Sequence, residues 1–375
     1  MRAMLLVHHL GVGGAEVMVA QLARHLQRRG DAVEVGCLGE LGALGEELQR
    51  DGIDVVVHAR RPGIDRTLPW RLAQRVRSQR ADVVHLHQRT AFFYGILAGL
   101  LHRTPIVYTE HGPWFGPPPR TAQRTFNRAL GWRAGRITTV SRDAQRVLAA
   151  VEGFSRRDVA VVPNAIDVAR FASGASRGRG AARTRLGLPP QAPILGSVGR
   201  LDPVKNSRLL VRLIALLRRR FPEALLVLVG EGPERAALAA LAQQLGVADA
   251  VHLLGLQRDI ERILPAFDIF ALPSRSEGIP LSLLEAMAAR VPVVASAVGG
   301  IPEAARGGEE ALLIDGVPSD DDDYAQRFTA AAERLLLEPA TASRLVENAA
   351  RRVRSEFAIE AVCERYRDIL AAVVG

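Results

Sequence analysis

Two cations stand five residues apart in a loop that follows an apolar run of the chain. Arg200 and Lys205 come after the run Ile194–Val198. An Arg binds phosphate through two N–H groups and a Lys supplies a compact charge, so the pair can converge on one diphosphate. Lys205 is the single Lys among 49 basic residues, and an Arg-rich composition does not explain it. The loop therefore predicts a diphosphate site.

Two carboxylates follow another apolar run, Ile269–Leu272. Glu277 lies in the loop and Glu285 lies beyond it, in a segment expected to be helical. Pro280 suits the first turn of that helix, where its missing N–H costs nothing, and the start of a helix attracts phosphate. One carboxylate can reach a sugar and the other the hydroxyls of a ribose. The stretch expected to bind the donor at this helix start is Gly278, Ile279, Pro280 and Leu281.

A glycine loop, Gly11–Glu16, follows the first strand candidate. Gly13 and Gly14 would let backbone amides approach a phosphate or a sugar at a helix N-terminus. Glu16 stands where the dinucleotide-binding pattern G-x-G-x-x-G would have its last Gly, so the loop alone indicates either a ligand site or a tight turn.

His111 lies in a loop beside Gly112 and Pro113, so it is not expected to be a packed core residue. It can hydrogen-bond a sugar hydroxyl or act as an acid or base. Four other histidines lie at strand ends, but no Cys or carboxylate spacing supports a metal site. They are His8, His9, His85 and His87.

Apolar runs alternate with helical patterns along the chain, which predicts an α/β fold with parallel sheets. In the first half the strand candidates are Ala3–His8, Ala32–Leu38, Val55–His58, Asp82–His87, Ile106–Thr109, Ile137–Val140 and Val159–Val162. In the second half they are Ile194–Val198, Leu225–Val229, Ala250–Leu254, Ile269–Leu272, Val293–Ala295 and Ala311–Ile314.

The length of 375 residues favours two domains. The first is expected over residues 1–172 and the second over residues 191–357. Residues 173–190 are rich in Gly, Ser, Arg and Pro and are read as the linker. A last amphipathic helix, about residues 358–375, could pack on either domain.

Charge is unevenly distributed. Residues 1–170 hold 24 Arg and 15 acidic residues, a net charge of +9, whereas the remainder is neutral. The excess indicates an anionic partner for the first half or an Arg-rich composition. Two cysteines suit a reducing compartment. The apolar runs are too short to span a bilayer and Met1–Leu10 does not read as a signal peptide, so we expect a cytoplasmic protein.

Arginines recur every four residues after the His111 loop. Arg120, Arg124 and Arg128 would form a stripe along a helix, with Trp132 next to it. Such a stripe suits the anionic inner face of a membrane and would bring a lipid-linked acceptor to the site. A solvated helix face is the equal alternative.

Taken together, five segments in this order resemble the retaining glycosyltransferases of family 4, which have the GT-B fold, and the resemblance covers nearly the whole chain. They are Gly13–Glu16, Thr109–Gly112, Val162–Asp167, Gly199–Asn206 and the pair Glu277 and Glu285, spaced E-x7-E. Ala165 replaces a Gly that the family usually has in the third segment.

The resemblance implies two Rossmann-like domains whose parallel sheets face a central cleft, with the last helix crossing back to the first domain. It implies transfer of a sugar from a UDP- or GDP-sugar to a glycan or lipid-linked acceptor, in polysaccharide or glycolipid synthesis. The anomeric configuration would be retained, with no metal and no cofactor.

The resemblance also implies the roles of individual residues. Arg200 and Lys205 would neutralise the diphosphate as it leaves. Glu277 would hold the donor sugar, Glu285 the ribose, and His111 would contact the sugar near the reacting carbon. The donor base would be read by loops such as Leu254–Arg258, in which Leu254 is the first donor-binding position and no decisive code is present.

Other functions remain open on the sequence alone. A nucleotide-sugar epimerase or hydrolase can share the fold, and a non-catalytic nucleotide-sugar-binding or membrane-scaffold protein would lack a clamp residue. An NAD-dependent oxidoreductase is disfavoured because G-x-G-x-x-G is missing. Nucleic-acid binding is disfavoured because aromatic residues make up only 5% and do not interleave with the Arg stretches.

Overall fold

The computed structural model describes residues 1–112, 121–156, 158–176 and 178–375, without the side chains of residues 122, 123, 126 and 176. The chain divides into two compact units. The first unit comprises Met1–Ala165 together with Ile359–Gly375, and the second comprises Ile166–Ala358. Each unit is built on one parallel sheet, which confirms the α/β class predicted from the alternation of apolar runs.

The first unit has a seven-stranded sheet in the order β3-β2-β1-β4-β5-β6-β7. Its strands are β1 Arg2–Val7, β2 Ala32–Cys37, β3 Asp54–Val57, β4 Val83–His87, β5 Ile106–Glu110, β6 Arg136–Thr139 and β7 Val159–Val161. Its helices before the second unit begins are α1 Gly14–Arg28, α2 Gly42–Arg50, α3 Leu68–Ser78, α4 Gln88–Ala98, α5 Thr121–Gly131 and α6 Arg142–Glu152.

The second unit has a six-stranded sheet in the order β10-β9-β8-β11-β12-β13. Its strands are β8 Ile194–Val198, β9 Leu225–Val229, β10 Val251–Gly255, β11 Ile269–Leu272, β12 Val293–Ser296 and β13 Leu312–Ile314. Its α-helices are α7 Val168–Ser176, α8 Arg179–Leu186, α9 Ser207–Leu217, α10 Arg235–Gln244, α11 Leu281–Ala288, α12 Ile301–Ala304, α13 Asp322–Leu337 and α14 Pro339–Glu356. Short 3₁₀ turns cover Ala248–Ala250, Ile260–Arg262 and Leu264–Ala266.

Burial explains why the strands read as continuous apolar runs. In β9 Leu226 and Val227 point to opposite faces, and neither side chain is exposed. A sheet with both faces covered has no polar alternation. All thirteen strand candidates are confirmed, with ends that differ by at most one residue.

The segment read as a linker is part of the second unit and is mostly helical. Residues 173–190 contain the end of α7 and all of α8, and the boundary between units falls at residue 165, not 172. The glycines that suggested a linker flank a helix instead: Gly178 precedes α8, and Gly187 follows it in a left-handed conformation (φ 64°). Arg183 anchors α8, because its buried guanidinium donates to Asp268 (2.6 Å) and to the Ala266 carbonyl (3.0 Å).

The last helix, α15 Ile359–Val374, belongs to the first unit. It packs on α1 and on strands β4 and β5. At its surface Glu364 accepts a hydrogen bond from His25 (2.8 Å), and Arg367 pairs with Asp31 at the same distance. A search of the helices in the described ranges finds none with the length and apolar character of a membrane span.

Each sheet has one point at which the strand order reverses. In the first unit it lies between β1 and β4, and in the second unit between β8 and β11. Ligands of open parallel sheets bind beyond the carboxyl ends of the strands at such a point. The loops after these four strands are therefore the positions at which each unit presents its functional side chains.

Candidate active site

Lys205 and Glu277 meet across the reversal point of the second sheet. Lys205 follows β8 and Glu277 follows β11, and Lys205 Nζ lies 2.6 Å from Glu277 Oε1. The lysine side chain is 26% exposed and the glutamate side chain 10%. Ser274 also donates its hydroxyl to Oε1, at 2.6 Å. The lysine ammonium is thus held at the carboxyl ends of β8 and β11 by a nearly buried carboxylate, and the exposed part of the lysine side chain is open to a ligand.

The loop that carries both cations is shaped by Asp202. Its Oδ1 accepts from the amides of Val204 and Lys205, each at 3.1 Å, which makes the side chain part of the turn. Its Oδ2 holds the Arg200 guanidinium at 2.8–2.9 Å. Arg200 is 73% exposed, so its charge is anchored but accessible.

Asn206 ends the same loop in a left-handed conformation (φ 54°), which Asn tolerates better than most residues. Its buried amide donates to the Ser319 carbonyl at 2.9 Å. α9 begins at the next residue. The fixed turn therefore sets where Lys205 leaves the backbone.

Backbone contacts brace Glu277 from the other side. Gly300 donates its amide to the Glu277 carbonyl at 3.1 Å. Gly299 is left-handed (φ 56°), and a Cβ there would collide with the same carbonyl oxygen. The glycine at 299 thus allows the loop after β12 to pack directly on the backbone of Glu277.

α11 begins at Leu281, so Pro280 is the residue before the helix and not in its first turn. Its backbone is extended (ψ 125°), which places it in the cap position. The chain from Glu277 to Pro280 is buried, and its backbone is held at the sheet edge. The amides of the first helical turn still have no intrahelical acceptor, which keeps this end suited to an anion.

Glu285 lies just over one turn into α11 and is partly buried. Burial raises the pKa of its carboxyl from 4.5 to about 7, nearby Arg170 lowers it, and Glu261 raises it. Arg170 itself pairs with Glu261 at 2.9 Å. The carboxyl can therefore either donate or accept a hydrogen bond near neutral pH.

Leu254 lies at the carboxyl end of the edge strand β10, two strands from β8. Its carbonyl accepts from the Gln257 side chain at 2.9 Å, which closes the loop predicted to read the base.

In the first unit the glycine loop meets β4 at the reversal point. Gly13 precedes α1 in an extended conformation, and a Cβ there would collide with the Glu16 carboxylate, which folds back over the helix start. Glu16 Oε1 accepts from the Gln88 side chain at 3.1 Å. Since a carboxylate already occupies this end of α1, a sugar hydroxyl suits the amides near Gly13 and Gly14 better than a phosphate.

The expectation that His111 is not a packed residue is wrong. Its side chain is buried, with 8% of the residue exposed, and Nε2 lies 2.9 Å from Nδ1 of His87. Burial lowers the pKa of His111 to about 4, while a side-chain hydrogen bond with Asn164 raises it. His87 ends β4 and pairs with Thr109 of the adjacent strand β5. His111 lies two residues after Thr109 and therefore on the same face, which brings the two rings together.

The arginine stripe lies partly outside the described residues, because Arg120 is not described. Arg124 and Arg128 are exposed on α5, and Trp132 follows the helix with 74% exposure. Arg133 turns away from the stripe and donates to three backbone carbonyls at 2.8–3.0 Å.

Several residues that position the site were not predicted from the sequence. Asp202, Ser274 and Asn206 position the predicted residues, and Gln88 and Asn164 do so in the first unit. Asp202-Pro203 is a turn signal that points to the first of these. The others depend on which strands become neighbours. Among the described residues no group of three or more His, Cys, Asp or Glu side chains is arranged to hold a metal ion.

Comparisons with known proteins identify the family of this chain. The model of Glycosyltransferase Family 4 matches residues 12–170, and that of Glycosyl transferases group 1 matches residues 179–352. A D-inositol 3-phosphate glycosyltransferase of Actinosynnema mirum is 33% identical over 90% of this chain and 87% of its own. The chain belongs to the family 4 glycosyltransferases.

Two further similarities support the family and its fold. A D-inositol 3-phosphate glycosyltransferase of Acidothermus cellulolyticus is 32% identical over 96% of this glycosyltransferase and 86% of its own chain. The structure of HepE from Anabaena, solved with UDP and glucose, matches with a TM-score of 0.82 over 99% of both chains at 21% identity. This likeness confirms the GT-B fold expected from the sequence. Because the family is one of glycosyltransferases, the oxidoreductase alternative is set aside.

Proposed function

We propose that this glycosyltransferase transfers a sugar from a UDP-sugar with retention of configuration and without a metal ion. The observation that carries the proposal is the Lys205–Glu277 pair, fixed at 2.6 Å at the reversal point of the second sheet. A diphosphate that enters there meets Lys205, the accessible Arg200 and the start of α11. These groups stabilise the negative charge that builds on the leaving UDP.

The two carboxylates bind the other two parts of the donor, the transferred sugar and the ribose. Glu277 lies against the lysine, next to the diphosphate, and is placed to accept hydrogen bonds from hydroxyls of the transferred sugar. Glu285, with a pKa of about 7, can exchange hydrogen bonds with a ribose diol. UDP is chosen as the donor nucleotide because HepE was solved with UDP-glucose as well as with UDP.

The acceptor proposed first is a small phosphorylated polyol of the inositol phosphate class. The curated relatives that share about a third of the sequence are named for such an acceptor. The net charge of +9 over residues 1–170 suits an anionic acceptor bound by the first unit. Polyol hydroxyls would find Glu16 and Gln88 at the reversal point of that unit.

A second candidate acceptor is lipid-linked, because one surface of the first unit fits an anionic membrane. We define the Trp132 surface as Leu100, Leu101, Arg124, Arg128 and Trp132. The three apolar side chains are 52%, 43% and 74% exposed. Arg133 directly follows Trp132 and donates to the carbonyls of residues 99, 102 and 104, so it links Trp132 to the segment that carries the two leucines. Exposed apolar groups among arginines suit a bilayer interface, and the protein would then act at the cytoplasmic face.

The membrane hypothesis is tested by co-sedimentation with vesicles that contain anionic lipid. Replacing Arg124 and Arg128 by Ser, or Trp132 by Ser, should reduce the bound fraction, and neutral vesicles should bind neither form. Arg351→Ser combined with Arg354→Ser, two exposed arginines on the other unit, is the matched control for the loss of two charges. Unchanged co-sedimentation of the Arg124 and Arg128 variant would sink the membrane hypothesis.

The proposed function is tested by a transfer assay with UDP-glucose, UDP-galactose and UDP-N-acetylglucosamine in excess chelator. The acceptors are inositol phosphate, unphosphorylated inositol and a lipid-linked glycan, and proton NMR reports the anomeric configuration of the product. We expect an α-linked product from an α-linked donor. An inverted product would refute retention. UDP release without acceptor would favour the hydrolase alternative, and binding without turnover the non-catalytic one.

A further inference from the structure

The first sheet ends at β3, and the outer side of this strand is open. β3 is last in the strand order and pairs in parallel with β2. His58 donates its amide to the Cys37 carbonyl at 2.7 Å, so His58 and, by alternation, Val56 point their backbone groups towards β2. The residues between them point the other way. The N–H and C=O groups of Val55 and Val57 are therefore directed outwards.

The two edges of this sheet differ in how the chain covers them. At the far edge, the β7 carbonyls of Val159 and Val161 accept hydrogen bonds from the side chains of Gln145 (2.6 Å) and Arg365 (3.1 Å). No such bond covers the outward groups of β3 within the described residues. Val57 is 42% exposed. An accessible strand edge of this kind can pair with a strand from another chain.

A groove of about 780 Å³ lies beside this edge, between β3 and α3. Val56 and His58 share one face of the strand and line one side. The other side is formed by residues of α3, most of them spaced to share one face of the helix: Arg71, Gln74, Arg75, Arg77 and Ser78. We call β3 together with these lining residues the β3 groove. A strand added about 4.8 Å from β3 would direct alternate side chains over it, which is how extended peptides are bound at sheet edges.

The β3 groove presents positive charge. The side chains of Arg71 and Arg75 are 35% and 33% exposed, whereas those of their carboxylate partners, Asp65 and Glu34, are 1% and 8% exposed. The carboxylates are thus covered, while the guanidinium groups line the groove. Arg77 adds an exposed cation, and no acidic residue is part of the lining among the described residues.

This charge distinguishes between the strands that β3 could pair with. A second copy of this chain, paired β3 to β3 about a two-fold axis, would bring two sets of groove arginines to the same face of a joined sheet, and their like charges oppose that pairing. An acidic segment would instead place carboxylates over the arginines. Asp54, at the start of β3, is exposed but lies outside the groove lining, so it does not neutralise the groove.

We propose that the β3 groove binds an extended, acidic peptide segment of a partner protein, which adds as a strand to β3 and directs its acidic side chains over Arg71 and Arg75. β2 separates β3 from the reversal point at β1 and β4. A segment bound at β3 leaves the loops after β1 and β4 accessible, so the groove serves for docking and not for sugar transfer. The proposal does not depend on the proposed function.

NMR of protein labelled with nitrogen-15 valine tests the strand pairing. The probe is an acetylated hexapeptide of alternating Glu and Val, and Val55→Ile and Val57→Ile assign the two signals. We expect both amide signals to shift at about 5 mM peptide, a concentration that reveals a Kd in the millimolar range. The same peptide with Lys in place of Glu should shift neither. Unchanged signals with the Glu peptide, or equal shifts with the Lys peptide, overturn the proposal.

Two N-methylated forms of the peptide separate strand pairing from charge attraction. One carries N-methyl groups on its Glu residues and the other on its Val residues, so their charge is identical. Backbone N–H groups of alternate residues point to opposite sides of a strand, so a strand paired on one side tolerates only one of the two forms. We expect one form to bind and the other to lose binding. Equal affinity of the two forms would mean that the groove attracts anions without strand pairing, and would overturn the proposal.

A matched pair of variants tests the edge itself. Val57→Pro removes an N–H that the fold leaves unpaired, which an edge strand tolerates, and Val161→Pro makes the same change at the opposite edge. We expect Val57→Pro to weaken binding of the acidic peptide by about five-fold or more and Val161→Pro to leave it unchanged. Gln74→Glu, at an exposed residue of the groove, should weaken binding by about two- to five-fold.

Two results with these variants would contradict the proposal. The first is equal peptide affinity of the wild type, Val57→Pro and Gln74→Glu. The second is a dimer in sedimentation that Val57→Pro abolishes, because it would assign the edge to a second copy of this chain.

Discussion

Replacing Lys205 by Ala removes the cation that the structure holds at the reversal point of the second sheet. Two effects are expected, and they differ in size. The folded state loses the partner of Glu277, and the reaction loses a positive charge beside the leaving diphosphate. The first effect acts on stability alone, while the second acts on the transition state.

The stability effect follows from the geometry of the pair. Glu277 is 10% exposed and keeps the Ser274 hydroxyl at 2.6 Å after the lysine is removed. Leaving a buried acceptor short of a partner costs about 1–3 kcal/mol. Because Lys205 is 26% exposed and water can replace it, the lower half of that range, about 1–2 kcal/mol, is expected. The loss of one preorganised group that stabilises developing charge lowers kcat by about 100- to 1000-fold.

The two effects are separated with a double variant. Lys205→Ala combined with Glu277→Gln removes the unpaired charge, so the free energy of unfolding measured in urea should return to within about 1 kcal/mol of the wild type. Sugar transfer should remain slow, because the cation is still missing and the carboxylate proposed to hold the donor sugar is changed as well. Lys205→Arg keeps the charge but not the compact ammonium, and should bind UDP more tightly than the Ala variant does.

The reasoning would be refuted if activity followed stability. Recovery of kcat in the double variant, together with recovery of the unfolding free energy, would mean that Lys205 serves only to neutralise Glu277. A Lys205→Ala enzyme with unchanged kcat and unchanged UDP affinity would remove Lys205 from the donor site altogether.

Three further predictions test the second unit. Glu285 has a folded pKa of about 7 against an ordinary 4.5, so the folded state holds its proton longer and wild-type stability falls as pH rises from 4.5 to 7. Glu285→Gln should be more stable than wild type by about 3 kcal/mol at pH 8 and equal to it at pH 4, as read from urea unfolding. Gly299→Ala should weaken UDP binding in calorimetry by about ten-fold or more, because the added Cβ would displace the Glu277 carbonyl. The control is Gly246→Ala, at a glycine that is also left-handed but has nothing within 4 Å of an added Cβ. It should cost only about 1 kcal/mol of stability and leave UDP binding unchanged. Arg183→Met should lower the unfolding free energy by about 3 kcal/mol if α8 belongs to the folded second unit, and a change below about 0.5 kcal/mol would restore the linker reading.

The strands were predictable because their signal is local. Each is a short apolar run, and a parallel sheet covered on both faces requires such runs. The donor-side pair was predictable for a related reason, since Lys205 and Glu277 each follow a strand and the carboxyl ends of parallel strands share one edge of the sheet. What the sequence could not provide was that β8 and β11 are neighbours, which is why a direct contact between the two side chains was not foreseen.

The errors share a physical origin as well. Residues 173–190 resembled a linker because Gly178 and Gly187 suggested a flexible chain, although the two glycines flank a helix whose Arg183 is buried. His111 was taken as an open loop residue because its flanking residues suggested a turn. Its burial depends on His87, 24 residues earlier on the neighbouring strand, and no local pattern reports that contact.

The central claim, a metal-independent UDP-sugar site built on Arg200 and Lys205, is tested most directly by thermal unfolding with UDP, GDP and ADP in the presence of chelator. A nucleotide that binds only the folded protein stabilises it by about 2.7 kcal/mol at a concentration of 100 times its Kd. We predict that UDP raises the Tm of the wild type without metal and that Lys205→Ala abolishes the rise. A rise that requires magnesium, or one that Lys205→Ala retains in full, would contradict the account.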